Sequence, residues 1–208
     1  MSPDTALRKM SGFGWNRWPG MTAGSQMSSR RWLKKYDCMD TVYIAIDPGS
    51  KGCITMLDPE GRMEHHFIAY EDMRDILEAM RRVKRNYPLC RVVAVMEEVH
   101  AVFGSSAKGT FAFGEIFGFL KGMIFACGIP LNIVPPKEWQ KEIWRSSDRI
   151  YKATNGIRKA IDTKATSITA ARRIFPDHDL RRTPSCKNPD DNLCDSMLIA
   201  EYARRKNL

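Results

Sequence analysis

Little in this chain would cross-link it, bind a soft metal or hold it in a membrane. Its six cysteines are Cys38, Cys53, Cys90, Cys127, Cys186 and Cys194; they include no CxxC pair and form no Cys/His cluster at zinc spacing. That pattern argues against the common structural zinc sites. Several of the cysteines lie in apolar segments and read as small core residues, for which a reducing cytosol is the natural compartment. No apolar run approaches the roughly 20 residues that a membrane span requires, so a soluble protein is expected. No internal repeat is visible.

Positive charge is what the chain has in excess. Lys and Arg number 33 against 24 Asp and Glu, a net charge of +9 over 208 residues, with a pI of about 9.4. The length suits one domain with a real core, and the charge suits a polyanionic partner. Residues 1–38 hold seven Lys/Arg against Asp4 and Asp37, and residues 141–187 hold twelve against five acids. The second basic stretch immediately precedes Asp191 and Asp195, so a phosphate backbone could lie on the one while metals occupy the other.

Residues 1–38 mix Ser, Gly, Met, Trp and Arg without periodicity and read as a disordered basic extension, with 39–208 as the folded domain. A nucleic-acid arm, an organelle-targeting segment and an extension upstream of the true start all fit. The last is preferred, because Met39 directly precedes the first strand. Strands are expected near 42–47, 53–57, 63–69, 92–96 and 131–134, the fourth a continuous apolar run of the kind buried on both faces. Helices are expected over about 71–86, 107–127, 137–145, 163–174 and 190–205. An antiparallel meander leading into parallel strands indicates an α/β fold, a five-stranded mixed sheet with helices on both faces.

Acidic residues recur at the ends of these elements. Asp47 closes Tyr43-Ile44-Ala45-Ile46 and opens the turn Asp47-Pro48-Gly49-Ser50; Glu97-Glu98 closes the fourth strand; Asp191 and Asp195 begin the last apolar helix. Each has a plain structural reading: Asp-Pro-Gly is a common turn, Glu97 or Glu98 a solvated strand end, Asp191 a helix cap. Asp195 resists it, lying among Leu193, Met197, Leu198 and Ile199, neighbours that mark a helix that packs. Asp191 and Asp195 are four apart and share a helical face. Gathered carboxylates suit hard divalent cations, and two such cations can drive phosphodiester cleavage. A metal-dependent nuclease is expected.

Ile46-Asp47-Pro48-Gly49-Ser50 followed by Gly52, Met96-Glu97-Glu98-Val99, and Asp195-Ser196-Met197-Leu198-Ile199-Ala200 together resemble the RuvC-type Holliday-junction resolvases of the ribonuclease H-like superfamily. The resemblance spans about residues 41–205. Pro135-Pro136 with Trp139, and Leu180-Arg181-Arg182-Thr183, are similar to the shorter phage-encoded branch. It implies a crossover junction endodeoxyribonuclease, a homodimer that nicks a four-way DNA junction symmetrically with Mg²⁺ or Mn²⁺, two per active site, in the cytoplasm of a bacterial host or phage-infected cell. An organelle is the alternative if residues 1–38 are a transit segment. It also implies that Asp47 bridges the two metals, with Glu97 and Asp195 holding one each. Asp191 completes the set, or Asn192, where the family's spacing of three would fall. Glu98 takes a place outside the ligands.

For the substrate, Gly114, Gly118 and Gly122 recur every fourth residue and form one smooth ridge. Close packing of that helix onto the sheet is the favoured reading; a twofold dimer contact is the alternative. The loop after Glu97 places Phe103 either as a wedge at the junction or as a packing residue. Lys108, Lys137, Lys141, Arg181, Arg182 and Lys187 are the phosphate-contact candidates. His65 and His66 face opposite sides of a strand and are not expected to share a metal. The rival readings are a nuclease of the same fold acting on an RNA–DNA hybrid, flap or transposon end, and a junction-binding protein that does not cut. The actin-like ATPases, whose first strand also ends in an Asp-x-Gly turn, need a second domain copy that this chain lacks.

Overall fold

Strand β1 (Thr41–Asp47) is buried on both faces, and its alternation decides the architecture: Val42, Ile44 and Ile46 enter one core, Tyr43 and Ala45 the other. Strand β4 (Arg91–Glu97) repeats the division, with Val92, Ala94 and Met96 on the first side and Val93 and Val95 on the second. These features come from a computed structural model that describes residues 40–69, 72–100, 106–152 and 160–208. The extension expected over residues 1–38, the alternative start at Met39 and the loop residue Phe103 lie outside the described residues.

The sheet is completed by β2 (Cys53–Leu57), β3 (Met63–Phe67) and β5 (Leu131–Val134), in the order β3-β2-β1-β4-β5. β1 pairs antiparallel with β2, and β2 with β3; β1 runs parallel to β4, and β4 to β5. Helices α1 (Met73–Asn86) and α2 (Ala107–Ala126) cover one face, with Ile76, Met80, Leu120 and Ile124 in its core. Helices α3 (Pro136–Ile143), α4 (Thr163–Ile174) and α5 (Asp191–Lys206) cover the other, with Trp139, Ala170, Met197 and Leu198. This is the five-stranded mixed sheet flanked on both faces that the sequence led us to expect.

Two polar ties anchor α5 to the second face. Thr55 of β2 lies 2.7 Å from Ser196, oxygen to oxygen, and the Tyr202 hydroxyl donates to Glu138 of α3 at 2.6 Å. The first ties α5 to the sheet and the second ties it to α3, each giving a polar group a partner where packing removes water.

Helix α2 corrects two expectations. It is long and apolar enough, by length and composition, to cross a membrane; glycine and phenylalanine supply much of that length, so no aliphatic run announces it. Nor does its glycine ridge pack on the sheet. A Cβ added at Gly114, Gly118 or Gly122 would meet nothing within 4 Å, and only Leu120, Met123 and Ile124 of the helix are buried. Phe111, Phe119 and Phe125 stand 76, 53 and 87% exposed.

Candidate active site

The parallel pairing of β1 with β4 sets Ile46 opposite Met96, so the next residues, Asp47 and Glu97, end adjacent strands side by side. Strand alternation turns both toward the face of Tyr43, Ala45, Val93 and Val95, which α5 covers. Helix α5 brings Asp191 in its first turn and Asp195 one turn later. The four sequence-selected carboxylates thus belong to one neighbourhood.

Their proximity perturbs their proton affinities. Asp47 is pushed well above the usual carboxylate range, by burial first, then by the charges of Asp195, Glu97, Asp191 and Asp190. Asp195 is pushed up to about 7, again by burial first, against the opposing hydrogen bond from Ser167 and with the charges of Glu97 and Asp191 adding. Burial raises Glu97 as well, and the hydrogen bond from Trp139 opposes it.

Each acid except Asp47 is steadied by a group on α3 or α4. The buried Trp139 donates its Nε1–H to Glu97 Oε1 at 2.9 Å. Ser167 of α4 bonds to Asp195. Lys164, also on α4, places its Nζ 2.6 Å from Asp191 Oδ2, with the lysine side chain 74% exposed and the aspartate 26%. Lysine in a helix's first turn opposes the helix dipole, so Asp191 accounts for its placement better than α4 does.

The turn after Asp47 admits only glycine at position 52. A Cβ there would lie 2.1 Å from the Asp47 carbonyl oxygen and 2.6 Å from the Gly49 nitrogen, and the Gly52 N–H closes the turn onto the Gly49 carbonyl at 2.9 Å.

The donor set suits a divalent cation in chemistry. Oxygen ligands of like charge stand close together, and Asp195 Oδ1 is buried with no hydrogen-bond partner, an atom that a cation would satisfy. The geometry is looser: among the described residues no group of three or more His, Cys, Asp and Glu is arranged to hold a metal ion. Glu97 is instead bonded to Trp139 and Asp191 to Lys164.

Other selected residues divide. Lys108, Lys137, Lys141 and Lys187 are exposed. Arg181 is exposed but grips Asp179 with two nitrogens, at 2.9 and 2.8 Å, and the Pro184 carbonyl with a third at 2.9 Å. Arg182 departs from the expectation of a phosphate contact: its side chain is 10% exposed and bonded to Asp190 and to the Lys51 carbonyl. Capping of α5 also falls one residue earlier than Asp191. Asp190 is the N-cap, accepting from the Leu193 N–H at 2.9 Å. His65 bonds to Thr55 at 3.0 Å while His66 lies 3.0 Å from Glu64, so the two histidines diverge, as strand geometry requires. Cys53 and Cys194 are buried and pushed up to about 12 by that burial, as core thiols should be.

Sequence reasoning selected the acids and missed their supports. Trp139 carried a signal only through the resemblance, and Ser167, Lys164 and Asp190 carried none, since nothing in their local pattern sets them apart from ordinary helix-start residues.

No protein-family model matches the chain, and no curated protein does. Among solved structures, the chain is similar to the RuvC of Thermus thermophilus in complex with a Holliday junction substrate: identity 12%, TM-score 0.46, covering 79% of this chain and 96% of that one. A second Thermus thermophilus RuvC structure is similar at 15% identity and a TM-score of 0.43, covering 80% and 96%. These likenesses concern backbone arrangement, and the roles of residues rest on the geometry above.

Proposed function

We propose that the protein is a metal-dependent DNA endonuclease that resolves four-way junctions by paired symmetric nicks, of the kind found in the shorter phage-encoded branch. One observation carries the reading: Asp47, Glu97 and Asp195 come from two adjacent parallel strands and the helix that crosses them, close enough that Asp47 feels the other acids through its raised proton affinity. A purely structural site would not gather like charges with one lysine to balance them.

Asp47, Glu97, Asp195 and Asp191 would hold the divalent cations, Mg²⁺ or Mn²⁺. When bound, the cations supply an activated water and neutralise charge at the leaving oxygen. Trp139 fixes the direction of Glu97, and Ser167 that of Asp195. Until their charge is balanced, the carboxylates repel a phosphate backbone, so DNA affinity and cleavage share one requirement. Lys108, Lys137, Lys141 and Lys187, all exposed, are the phosphate contacts this reading assigns.

A homodimer supplies the two active sites that paired nicks need, and the open glycine ridge of α2 with its exposed Phe111, Phe119 and Phe125 is the face it would use. Exposed aromatic patches of this kind mark interaction sites. Phe125→Glu, at a position 87% exposed, should leave the fold intact and yield a monomer by light scattering. A dimer that persists would send the interface elsewhere.

The decisive experiment is cleavage of a labelled synthetic four-way junction with Mg²⁺ by the wild type and by Asp47→Asn, with a duplex and an RNA–DNA hybrid alongside. Paired nicks on the junction alone, lost in the variant, support the proposal. Hybrid cleavage would keep the active site and replace the substrate; tight junction binding without cleavage would make the protein a binder.

A further inference from the structure

We propose that Arg182 is the positioning residue that holds the Asp47 turn in register with the start of α5, and thereby sets the spacing at which the carboxylates meet a divalent cation. The inference rests on the metal-site reading above. One guanidinium touches both supports of the cluster. Its Nε donates to Asp190 Oδ2 at 2.7 Å, and a terminal nitrogen donates to the Lys51 carbonyl at 2.7 Å. Its Cζ lies over the Phe67 ring, 5.0 Å from the centroid.

Both hydrogen bonds end where the ligands begin. Lys51 sits in the turn that leaves Asp47, immediately before Gly52, where an added Cβ would lie 2.1 Å from the Asp47 carbonyl oxygen. Asp190 caps the helix that carries Asp191 and Asp195, and its own N–H bonds to the Leu180 carbonyl at 2.8 Å. Phe67 ends β3, the strand that pairs with β2 beyond the turn. The two halves of the ligand set are far apart in sequence, and Arg182 bridges them with directed, charge-assisted bonds.

The chemistry demands arginine. A planar fork can direct two donors along different lines while its face stacks on an aromatic ring; a lysine ammonium cannot meet all three contacts at once. With 10% of the side chain exposed and its partner Asp190 at 16%, the pair is sheltered from the screening that weakens surface bridges. Groups that orient metal ligands from behind change metal affinity by about 10–100-fold when removed.

The test titrates metal-free protein with Mn²⁺ by calorimetry, with denaturant unfolding in parallel, for the wild type, Asp47→Asn, Arg182→Gln, Arg182→Lys, Asp190→Asn and the Arg182→Gln/Asp190→Asn double variant. Arg182→Gln should weaken Mn²⁺ by about 10–100-fold, and Arg182→Lys should recover part of the loss. Asparagine caps a helix as well as aspartate, so Asp190→Asn should stay folded yet lose affinity, and the double variant should be no weaker than Arg182→Gln alone. Unchanged Mn²⁺ affinity in a folded Arg182→Gln overturns the proposal. If that variant does not fold, unchanged affinity in Asp190→Asn overturns it instead. A wild type that binds no Mn²⁺ would overturn the metal-site reading itself and this inference with it, an outcome distinct from a binding wild type whose Arg182 variants bind equally well.

Discussion

Replacing Asp195 by Asn should make the metal-free protein more stable at neutral pH. The folded chain pushes this carboxyl up to about 7 from an ordinary value of 3.8. Between those values the folded state binds more protons than the unfolded chain, so its contribution to stability is fully present at low pH. It is lost as pH rises toward 7. A shift of about 3 units corresponds to at most about 4 kcal/mol, and sharing of the burden among coupled neighbours reduces the realistic gain to roughly 2 kcal/mol. Asn keeps the shape and can still accept from Ser167. For a domain of this size the thermal midpoint should rise by about 4–8 °C. The assay is thermal and urea unfolding in a chelator at pH 7.5 and pH 4. A gain at pH 7.5 that nearly vanishes at pH 4 is expected, since Asp195 is largely protonated there in the wild type. An equal gain at both values, or none at pH 7.5, would refute the argument that burial and like charge strain this site.

Gly52→Ala would drive a Cβ against backbone atoms at 2.1 and 2.6 Å, costing about 3 kcal/mol or more; urea unfolding should show it, and Mn²⁺ binding should fall with it. Trp139→Phe removes the hydrogen bond that opposes the burial-driven rise of Glu97. Its loss should raise the carboxyl further, so the pH at half-maximal Mn²⁺ binding should move up by about 1 unit; an unmoved profile would deny the hydrogen bond that role. Lys164→Met frees Asp191 from a largely exposed ion pair worth at most about 1 kcal/mol. Calorimetry should therefore show Mn²⁺ binding up to about fivefold tighter, and weaker binding would mean that Lys164 supports the site rather than competing for it.

How much was legible in the sequence depended on whether the signal was local. The runs Val92–Met96 and Tyr43–Ile46, each closed by an acid, announced the central strands and two of the acids at once, and helix α4 was expected over the same residues, Thr163–Ile174, that it occupies. Arg182 was chosen as a phosphate contact because it belongs to the basic stretch that precedes Asp191 and Asp195; its engagement with Asp190 and Lys51 is tertiary, and no periodicity reports it. The same holds for α2. Glycines at every fourth residue make a ridge that any neighbour could fill, and only packing reveals that the sheet does not fill it. Asp191 was expected as the helix cap, and only the bond from the Leu193 N–H shows that Asp190 takes that place.

The crossing of α5 over β1 has a bearing on how the protein comes into being. Thr55 and Ser196, which join β2 to α5, are 141 residues apart, and the acids of β1 and α5 are as widely divided along the chain. Contacts of such range form late, because the intervening chain must be ordered first. No early folding fragment therefore assembles the whole cluster: a growing chain displays Asp47 and Glu97 while Asp191 and Asp195 have yet to dock. If the four carboxylates act together as proposed, their shared chemistry would be withheld from partly built molecules and arrive in one step, when helix α5 docks.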